Sequence, residues 1–167
     1  MKRKFLMLLL STFLCIGCVT SSVSAKSSDT WIKDEYVDYV KEICWYYTVS
    51  PELVEAIIET ESSGNMLAYN GKYGCKGLMQ INESVHKKRM KKLGVTNLYY
   101  PYDNILVGVD YIAELYDTYG DDTMKILMMY NGQSNAKQRA IDGTFSSYSI
   151  KIAKRTRELE RVHGKHK

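Results

Sequence analysis

The chain has few histidines and cysteines, the residues on which most zinc sites depend. Its 167 residues include three histidines, His86, His163 and His166, and four cysteines. None of these histidines stands at the spacing from a cysteine that zinc sites use. The sequence therefore predicts no metal site, and we expect no cofactor.

The chain also has little net charge once its N-terminus is set aside. There are 23 basic and 19 acidic residues, and residues 1–25 hold three of the basic residues and none of the acidic ones. The remainder carries 20 basic against 19 acidic residues, a formal charge of +1. Because nucleic-acid-binding domains depend on a strongly basic surface, we expect no nucleic-acid partner.

The one long hydrophobic run lies at the N-terminus. Three basic residues, Lys2 to Lys4, precede an apolar stretch from Phe5 to Val19, and Val23-Ser24-Ala25 fits a signal-peptidase site. The run is short for a membrane span. The sequence predicts a cleaved signal peptide over residues 1–25. A lipoprotein, suggested by the lipobox-like Cys15-Ile16-Gly17-Cys18, and a retained N-terminal anchor are the alternatives.

Residues 26–167 form a single predicted domain, because no repeat, linker or low-complexity segment divides them. Their hydrophobic periodicity favours a mainly helical fold. A glycine-rich segment over 65–82 interrupts the helices and is expected to be irregular or to form a small strand pair. The predicted helices are about 33–47, Pro51–Ser62, Ser84–Leu93, a long helix capped by Asp103, one capped by Asp121 or Asp122, and a last helix over 148–162.

Glu61 is the first candidate catalytic residue. In the helix that Ser50 is expected to cap, Glu61 follows the apolar Val54 and Ile57 at i+7 and i+4, on the face that should meet the core. Glu55 and Glu59 are predicted to point to solvent. Burial would raise the pKa of Glu61, as a general acid requires near neutral pH. The alternative is a structural glutamate at a helix end.

Amide and aromatic side chains follow in two later segments. Gln80 and Asn82 end a glycine-punctuated stretch, and Tyr130-Asn131 ends a helix before a glycine. Such side chains suit a sugar-binding cleft, where hydroxyl and N-acetyl groups need hydrogen-bonding partners. A tyrosine that merely packs at a helix end is the alternative for Tyr130.

Together these segments resemble the lysozyme-like domain of soluble lytic transglycosylases, glycoside hydrolase family 23. The resemblance covers residues from about 36 to about 159, and it implies an α+β lysozyme-like fold and a peptidoglycan substrate. The segments that carry it are AIIETESSGN, GCKGLMQIN, PYDNILVGVDYI, MMYNGQ and SSYSIKIAKR.

The resemblance also implies a reaction with a single acid. Glu61 would protonate the glycosidic oxygen between N-acetylmuramic acid and N-acetylglucosamine, and would then deprotonate the C6 hydroxyl to give a 1,6-anhydro product. Ser62 would orient the loop beside the acid. Gln80 and Asn82 would line the cleft floor, and Tyr130 with Asn131 would match the family's Tyr-Asn pair.

Glu83 stands where the family tends to have proline. A second carboxylate near the cleft could activate water, which would make the protein a lysozyme-type muramidase. A non-catalytic wall-binding or assembly module is a further alternative. In each case we expect an exported monomer, secreted or associated with the cell wall.

Two cysteines, Cys44 and Cys75, remain after a signal peptide is removed. In an exported protein they could form a disulfide between the first helix and the glycine-rich segment, worth about 3 kcal/mol by loop entropy. The alternative is two free thiols, because Cys44 occupies a core-facing helical position.

Basic residues concentrate near the C-terminus. This pattern favours a solvated helix face, with weak attraction to anionic wall polymers or to a membrane surface as the functional alternative. The residues are Lys151, Lys154, Arg155, Arg157, Arg161, Lys165 and Lys167.

Overall fold

The computed structural model describes residues 32–164. The predicted signal peptide and its lipoprotein and anchor alternatives, with Cys15 and Cys18, lie outside the described residues. Within residues 32–164 there is no helix that combines the length and the apolar character needed to cross a membrane.

The described chain is mainly helical, as the sequence predicts, and a small antiparallel sheet interrupts the helices. The elements in chain order are α1 (Asp34–Tyr47), α2 (Pro51–Ser62), β1 (Tyr69–Asn70), β2 (Cys75–Lys76), β3 (Ile81–Asn82), α3 (Glu83–Leu93), α4 (Pro101–Tyr119), α5 (Thr123–Tyr130), α6 (Ala136–Ile141) and α7 (Ser147–Gly164).

Helix α2 packs between α1 and α7. Its start is as predicted: the Ser50 hydroxyl accepts a hydrogen bond from the Leu53 amide at 3.1 Å, and Pro51 occupies the first turn. It ends at Ser62, because Ser63 turns into the left-handed region with φ 52°. Its fully buried apolar residues, which join the core, are Val54, Ala56, Ile57 and Ile58.

The sheet contains three strands in the order β1-β2-β3, one more than the predicted pair. Asn70 pairs with Cys75 and Lys76 pairs with Ile81. The chain leaves β2 through Gly77, whose φ is +75° and whose missing Cβ would lie 2.3 Å from the Leu98 carbonyl oxygen. Only glycine fits this turn, and it brings the sheet against the start of α4.

Two cap predictions have different outcomes. Asp122, rather than Asp121, caps α5, since its carboxylate accepts a hydrogen bond from the Lys125 amide at 3.1 Å. The prediction for Asp103 is wrong: α4 begins earlier, at Pro101, whose fixed φ suits the first helical position, so that Asp103 lies within the first turn. The short helix α6 was not predicted.

The exposure of Glu55 and Glu59 was also predicted wrongly. Glu55 is fully buried, and Glu59 is half-buried in an ion pair with Arg155. Helix α7 covers this side of α2, from Glu52, which meets His163, to Glu61, which meets Tyr148. The periodicity of α2 alone cannot reveal a helix that packs against its polar side.

Candidate active site

Glu61 lies in the last turn of α2, where its half-buried side chain faces the first turn of α7. Tyr148 of α7 donates a hydrogen bond from its hydroxyl to Oε1 of Glu61 at 2.5 Å. The two helices run antiparallel, so the end of α2 meets the beginning of α7. Because both side chains project from regular helices, the position of the carboxyl is fixed by the packing of the domain.

The electrostatics around Glu61 favour the protonated acid. Burial raises its pKa, and the Tyr148 hydrogen bond and the Lys151 charge partly oppose that rise. Burial and the neighbouring Glu61 in turn raise the pKa of Tyr148 far above its ordinary range, so this phenol remains a donor. A carboxyl with a raised pKa stays protonated to higher pH than an exposed glutamate, as a group that both gives and accepts a proton requires.

Tyr130 lies close enough to Glu61 to sense its charge. Burial raises the pKa of Tyr130 well above its ordinary value, and Glu61 raises it further. The Tyr130 hydroxyl donates to the Met79 carbonyl oxygen at 2.8 Å. It thus fixes the glycine-rich segment against α5, beside the acid. Asn131, the next residue, is exposed at the C-terminal end of α5.

The other predicted binding residues make hydrogen bonds within the protein. Gln80, with φ 49°, donates from Nε2 to the Ala68 and Gly77 carbonyl oxygens at 3.2 and 3.0 Å. Asn82 caps α3 and donates from Nδ2 to the Tyr73 carbonyl oxygen. These amide nitrogens brace the loops around the sheet, so the binding roles of Gln80 and Asn82 stay predictions.

Ser62 follows the acid and donates its hydroxyl to the Ile58 carbonyl oxygen at 3.1 Å. This hydrogen bond lies within α2. Ser63 then adopts the left-handed conformation that turns the chain away from the helix. The predicted orienting role of Ser62 therefore stays a prediction, with the last turn of α2 as the segment on which it acts.

Glu83 is exposed at the start of α3, where its carboxylate accepts a 2.5 Å charge-assisted hydrogen bond from Lys76 Nζ. It lines a groove that includes Tyr69, Tyr73 and Lys87. The groups that act on the pKa of Glu61 are burial, Tyr148 and Lys151. The Lys76 ammonium, rather than Glu61, is therefore the partner of Glu83.

Cys44 and Cys75 are free thiols in the structure, and no disulfide joins them. Cys44 is buried in the core, and burial raises its pKa to about 12. Cys75 in β2 is half-buried, and its pKa is raised by burial and then by Glu61, which places this thiol near the acid.

No group of histidine, cysteine, aspartate and glutamate side chains within residues 32–164 is arranged to hold a metal ion. The buried His86 has its pKa lowered to about 4 by burial and by Arg89, and its ring packs against Tyr111.

Sequence reasoning missed three residues that organise the site. Tyr148 was predicted only as the first residue of the last helix, and Lys151 only as one of the basic residues near the C-terminus. The third is the buried Asn104, whose Oδ1 accepts from the Met79 amide at 2.7 Å, while its Nδ2 donates to the Lys76 and Leu98 carbonyl oxygens at 2.8 and 2.9 Å. A polar residue inside the apolar pattern of α4 was the signal that could have identified it.

This mainly helical domain, with its small three-stranded sheet and a half-buried glutamic acid at the end of α2, has a lysozyme-like fold. The chain belongs to the transglycosylase SLT domain family, whose model matches residues 38–152. The resemblance predicted from the sequence is thereby confirmed.

Two known proteins are similar to this chain. The transglycosylase of Enterobacteria phage PRD1 is 37% identical over 108 residues, which are 65% of this chain and 38% of that protein. The fold matches the X-ray structure of an inactive glutamate-to-glutamine mutant of lytic transglycosylase Slt from Pseudomonas aeruginosa, with a TM-score of 0.67 and 16% identity, over 79% of this chain and 24% of that one. The chain thus spans well under half the length of either relative.

Proposed function

We propose that this protein is a peptidoglycan lytic transglycosylase that cleaves the β-1,4 bond between N-acetylmuramic acid and N-acetylglucosamine. The observation that carries the proposal is the Glu61 carboxyl, whose pKa burial raises and whose position the Tyr148 hydroxyl fixes. Membership of the SLT family and the names of the two relatives support the same activity.

In the proposed reaction Glu61 serves as acid and then as base. The protonated carboxyl gives its proton to the glycosidic oxygen while the bond from that oxygen to the muramic acid C1 breaks. The N-acetyl group stabilises the developing positive charge at C1. The Glu61 carboxylate then takes the proton of the C6 hydroxyl, while the oxygen of that hydroxyl forms a bond to C1. No water is consumed, and the product carries a 1,6-anhydro ring.

The Tyr148 hydroxyl and burial each support one half of this cycle. The hydrogen bond stabilises the carboxylate that forms after the first proton transfer, and burial ensures that the carboxylate readily accepts a proton again. Ser62, Gln80, Asn82, Tyr130 and Asn131 remain the proposed contacts of the glycan and of the loop beside the acid.

Hydrolysis by a lysozyme-type muramidase is the second candidate function. It needs a carboxylate that can activate water, and Glu83 is the candidate for that role. The hydrogen bond between Glu83 and Lys76 disfavours this candidate, because it holds the carboxylate against the ammonium rather than beside Glu61. A non-catalytic wall module would have no need of an acid on the apolar face of α2.

The proposed substrate places the protein's action outside the cytoplasm, at the cell wall. Export through the predicted N-terminal signal peptide over residues 1–25, with residues 26–167 as the active domain, is part of this proposal.

Purified wild-type protein and the Glu61→Gln variant, incubated with peptidoglycan, test the proposal. We expect wild type to release fragments with anhydro ends, which mass spectrometry distinguishes from hydrolysed ends because they are lighter by one water molecule. Glu61→Gln should bind glycan and release no fragments. Unchanged turnover by this variant would refute the assignment of Glu61, and reducing ends from wild type would favour the muramidase.

A further inference from the structure

A row of side chains connects α3 to Tyr130, the residue whose pKa is raised by burial and then by Glu61. The ring of Tyr111, in α4, lies in the middle of this row. On one side its centroid is 5.6 Å from that of Tyr130, with 32° between the two planes. On the other side the Arg89 guanidinium carbon lies 5.1 Å from the Tyr111 centroid, and the His86 ring packs in a T-shaped arrangement at 4.6 Å. Because each of these contacts favours a particular orientation of the ring, the position of Tyr130 is linked through Tyr111 to α3.

The α3 end of the row is held in place by the hydrogen bonds of Arg89. Its guanidinium donates to the buried Asp110, and to Glu114 at 2.9 Å. Its Nε donates to Nδ1 of His86 at 3.4 Å. Burial and Arg89 lower the pKa of His86 to about 4, so the imidazole is neutral near neutral pH and can accept this hydrogen bond. Two carboxylates and one imidazole thus fix the plane of the guanidinium that lies over Tyr111.

The other end of the row meets the backbone of the glycine-rich segment. The Tyr130 hydroxyl donates to the Met79 carbonyl oxygen at 2.8 Å, and Asn104 accepts from the Met79 amide at 2.7 Å. The next residue, Gln80, has a φ of 49°, in the left-handed region that residues with a side chain seldom adopt. Such a conformation persists where the surroundings hold it. The Tyr130 hydrogen bond acts on the peptide group between Met79 and Gln80, and it therefore helps to hold Gln80 in this conformation.

The Tyr111 ring, rather than its hydroxyl, makes the contacts of this row. The hydroxyl donates to the Met129 carbonyl oxygen at 3.5 Å, which is long for a hydrogen bond. The ring faces Tyr130 and the two α3 side chains at the distances of stacked and cation–π pairs. A phenylalanine at this position would keep those contacts, whereas a leucine would lose them.

We propose that Tyr111 is a positioning residue for the glycan site and that it acts through Tyr130 on Gln80. Its ring, which α3 holds, keeps the Tyr130 hydroxyl on the Met79 carbonyl oxygen and thereby keeps Gln80 in place to contact the strand. This inference rests on the proposed function, in which Gln80 and Tyr130 contact the glycan. The alternative is a ring that only packs between helices, and the two differ in whether Tyr111 and the Tyr130 hydroxyl act as a unit.

A double-variant cycle on soluble glycan strands distinguishes these alternatives. Tyr111→Leu removes the ring, Tyr111→Phe keeps it, and Tyr130→Phe removes only the hydroxyl that meets Met79. Tyr116→Leu is the matched control, because it removes another half-buried tyrosine ring of α4, whose hydroxyl bonds to Thr123. The measurements are kcat and KM for fragment release and, in the Glu61→Gln background, the Kd for the strand. Circular dichroism establishes that each variant is folded.

We expect Tyr111→Leu to lower kcat/KM about tenfold, mainly by raising KM, as the loss of one well-placed hydrogen bond would. The Kd should rise by a similar factor. Tyr111→Phe and Tyr116→Leu should behave like wild type, and Tyr130→Phe should lose as much as Tyr111→Leu. Adding Tyr111→Leu to Tyr130→Phe should cost less than about a further twofold, because the hydroxyl through which Tyr111 acts is already absent.

Hydrogen exchange followed by mass spectrometry tests the same coupling without turnover. The Gln80 amide donates to the Gly77 carbonyl oxygen at 3.2 Å, within the turn that Tyr130 holds. Tyr111→Leu should speed exchange in the peptide that contains this amide, and Tyr116→Leu should not. If Tyr111→Leu does not fold, Arg89→Lys takes its place in the cycle, because lysine keeps a positive charge but lacks the planar group.

Losses that multiply in the double variant, or unchanged exchange of the Gln80 amide in Tyr111→Leu, would overturn the inference and leave Tyr111 a packing residue. If wild type cleaves no strand, the proposed function fails, and exchange at Gln80 still decides whether Tyr111 holds this turn. Cleavage by wild type together with multiplying losses removes the role of Tyr111 alone.

Discussion

The Tyr148 hydroxyl donates to Oε1 of Glu61 at 2.5 Å and so joins the first turn of α7 to the last turn of α2. The bond connects residues 87 positions apart in the chain. Burial raises the pKa of Glu61, and this hydrogen bond lowers it, so the proton affinity of the acid depends on the docking of α7. The helix that covers the polar side of α2 therefore also tunes the proposed catalytic group.

Tyr148→Phe should move the pH profile of kcat/KM toward higher pH. The reaction requires protonated Glu61, so kcat/KM falls as the pH rises through the pKa of that group. Removing a hydrogen bond to the carboxylate raises this pKa further, and the falling limb moves to higher pH. The maximal rate should drop about tenfold, because the carboxylate that forms in the reaction loses its donor.

The control for this experiment is Tyr116→Phe, which removes a hydroxyl bonded to Thr123 at 3.2 Å, on α4 and away from Glu61. Its pH profile should coincide with that of wild type. A falling limb that stays in place or moves to lower pH in Tyr148→Phe would contradict the role given to this hydrogen bond.

Glu83→Gln tests whether a second carboxylate takes part. Since Lys76 binds Glu83, we expect turnover within about twofold of wild type, a change typical of a partly exposed ion pair, and an anhydro product. Mass spectrometry of the released fragments and initial rates are the measurements. A loss of turnover comparable to that of Glu61→Gln would instead favour water activation by Glu83.

The local features of the site could be predicted from the sequence. The bounds of α2, its Ser50 cap and the placement of Glu61 after Ile57 all follow from residues within three turns of one another. The glycine-rich segment was identified from its turn residues, although the count of its strands was not. Strands of two residues carry too little periodicity to be separated from a loop.

The features that the sequence did not reveal depend on pairs of distant elements. Glu55 is predicted to face solvent because the sequence does not show that α7 packs on that side of α2. The contact of Tyr148 with Glu61 is likewise not evident, because it depends on the packing of the end of α2 against the start of α7. The same holds for Asn104, which reaches a segment 25 residues earlier in the chain. Helical periodicity reports that a face is polar or apolar, but it does not identify the element that covers that face.

Asn104→Ala should destabilise the domain substantially. Asn104 is fully buried, and its loss would leave the Met79 amide and the Lys76 and Leu98 carbonyl oxygens without this partner. We expect a fall of about 3 kcal/mol in the free energy of unfolding, measured by urea denaturation.

Asn97→Ala is the matched control for Asn104→Ala. Its exposed amide oxygen accepts one hydrogen bond, from the Tyr99 amide at 3.0 Å, and its removal should cost less than about 1 kcal/mol. Equal losses in the two variants would show that Asn104 does not tie the sheet to α4.

The free energy of unfolding of Glu55→Gln, minus that of wild type, should be larger at pH 8 than at pH 5. Glu55 is fully buried, its two carboxyl oxygens have no hydrogen-bond partner among the described residues, and burial raises its pKa to about 7. His163 Nε2 lies 3.8 Å from Oε2 and opposes the rise when it is charged. The titratable and charged neighbours that act on Glu55 are His163, Glu52, Lys41 and Glu59, and Cys44 senses its charge in turn.

The direction follows from the raised pKa. The fold holds the neutral acid more readily than the ion, so this contribution to stability is fully present below the unfolded-state pKa of about 4.5 and is lost as the pH rises to about 7. The difference between the folded-state and unfolded-state pKa values corresponds to about 3 kcal/mol in the free energy of unfolding. Glutamine does not titrate, so the unfolding free energy of Glu55→Gln minus that of wild type should increase by about 2–3 kcal/mol between pH 5 and pH 8. The exposed Glu160→Gln on α7 should show no such increase, and a flat difference for Glu55→Gln would contradict the raised pKa of Glu55.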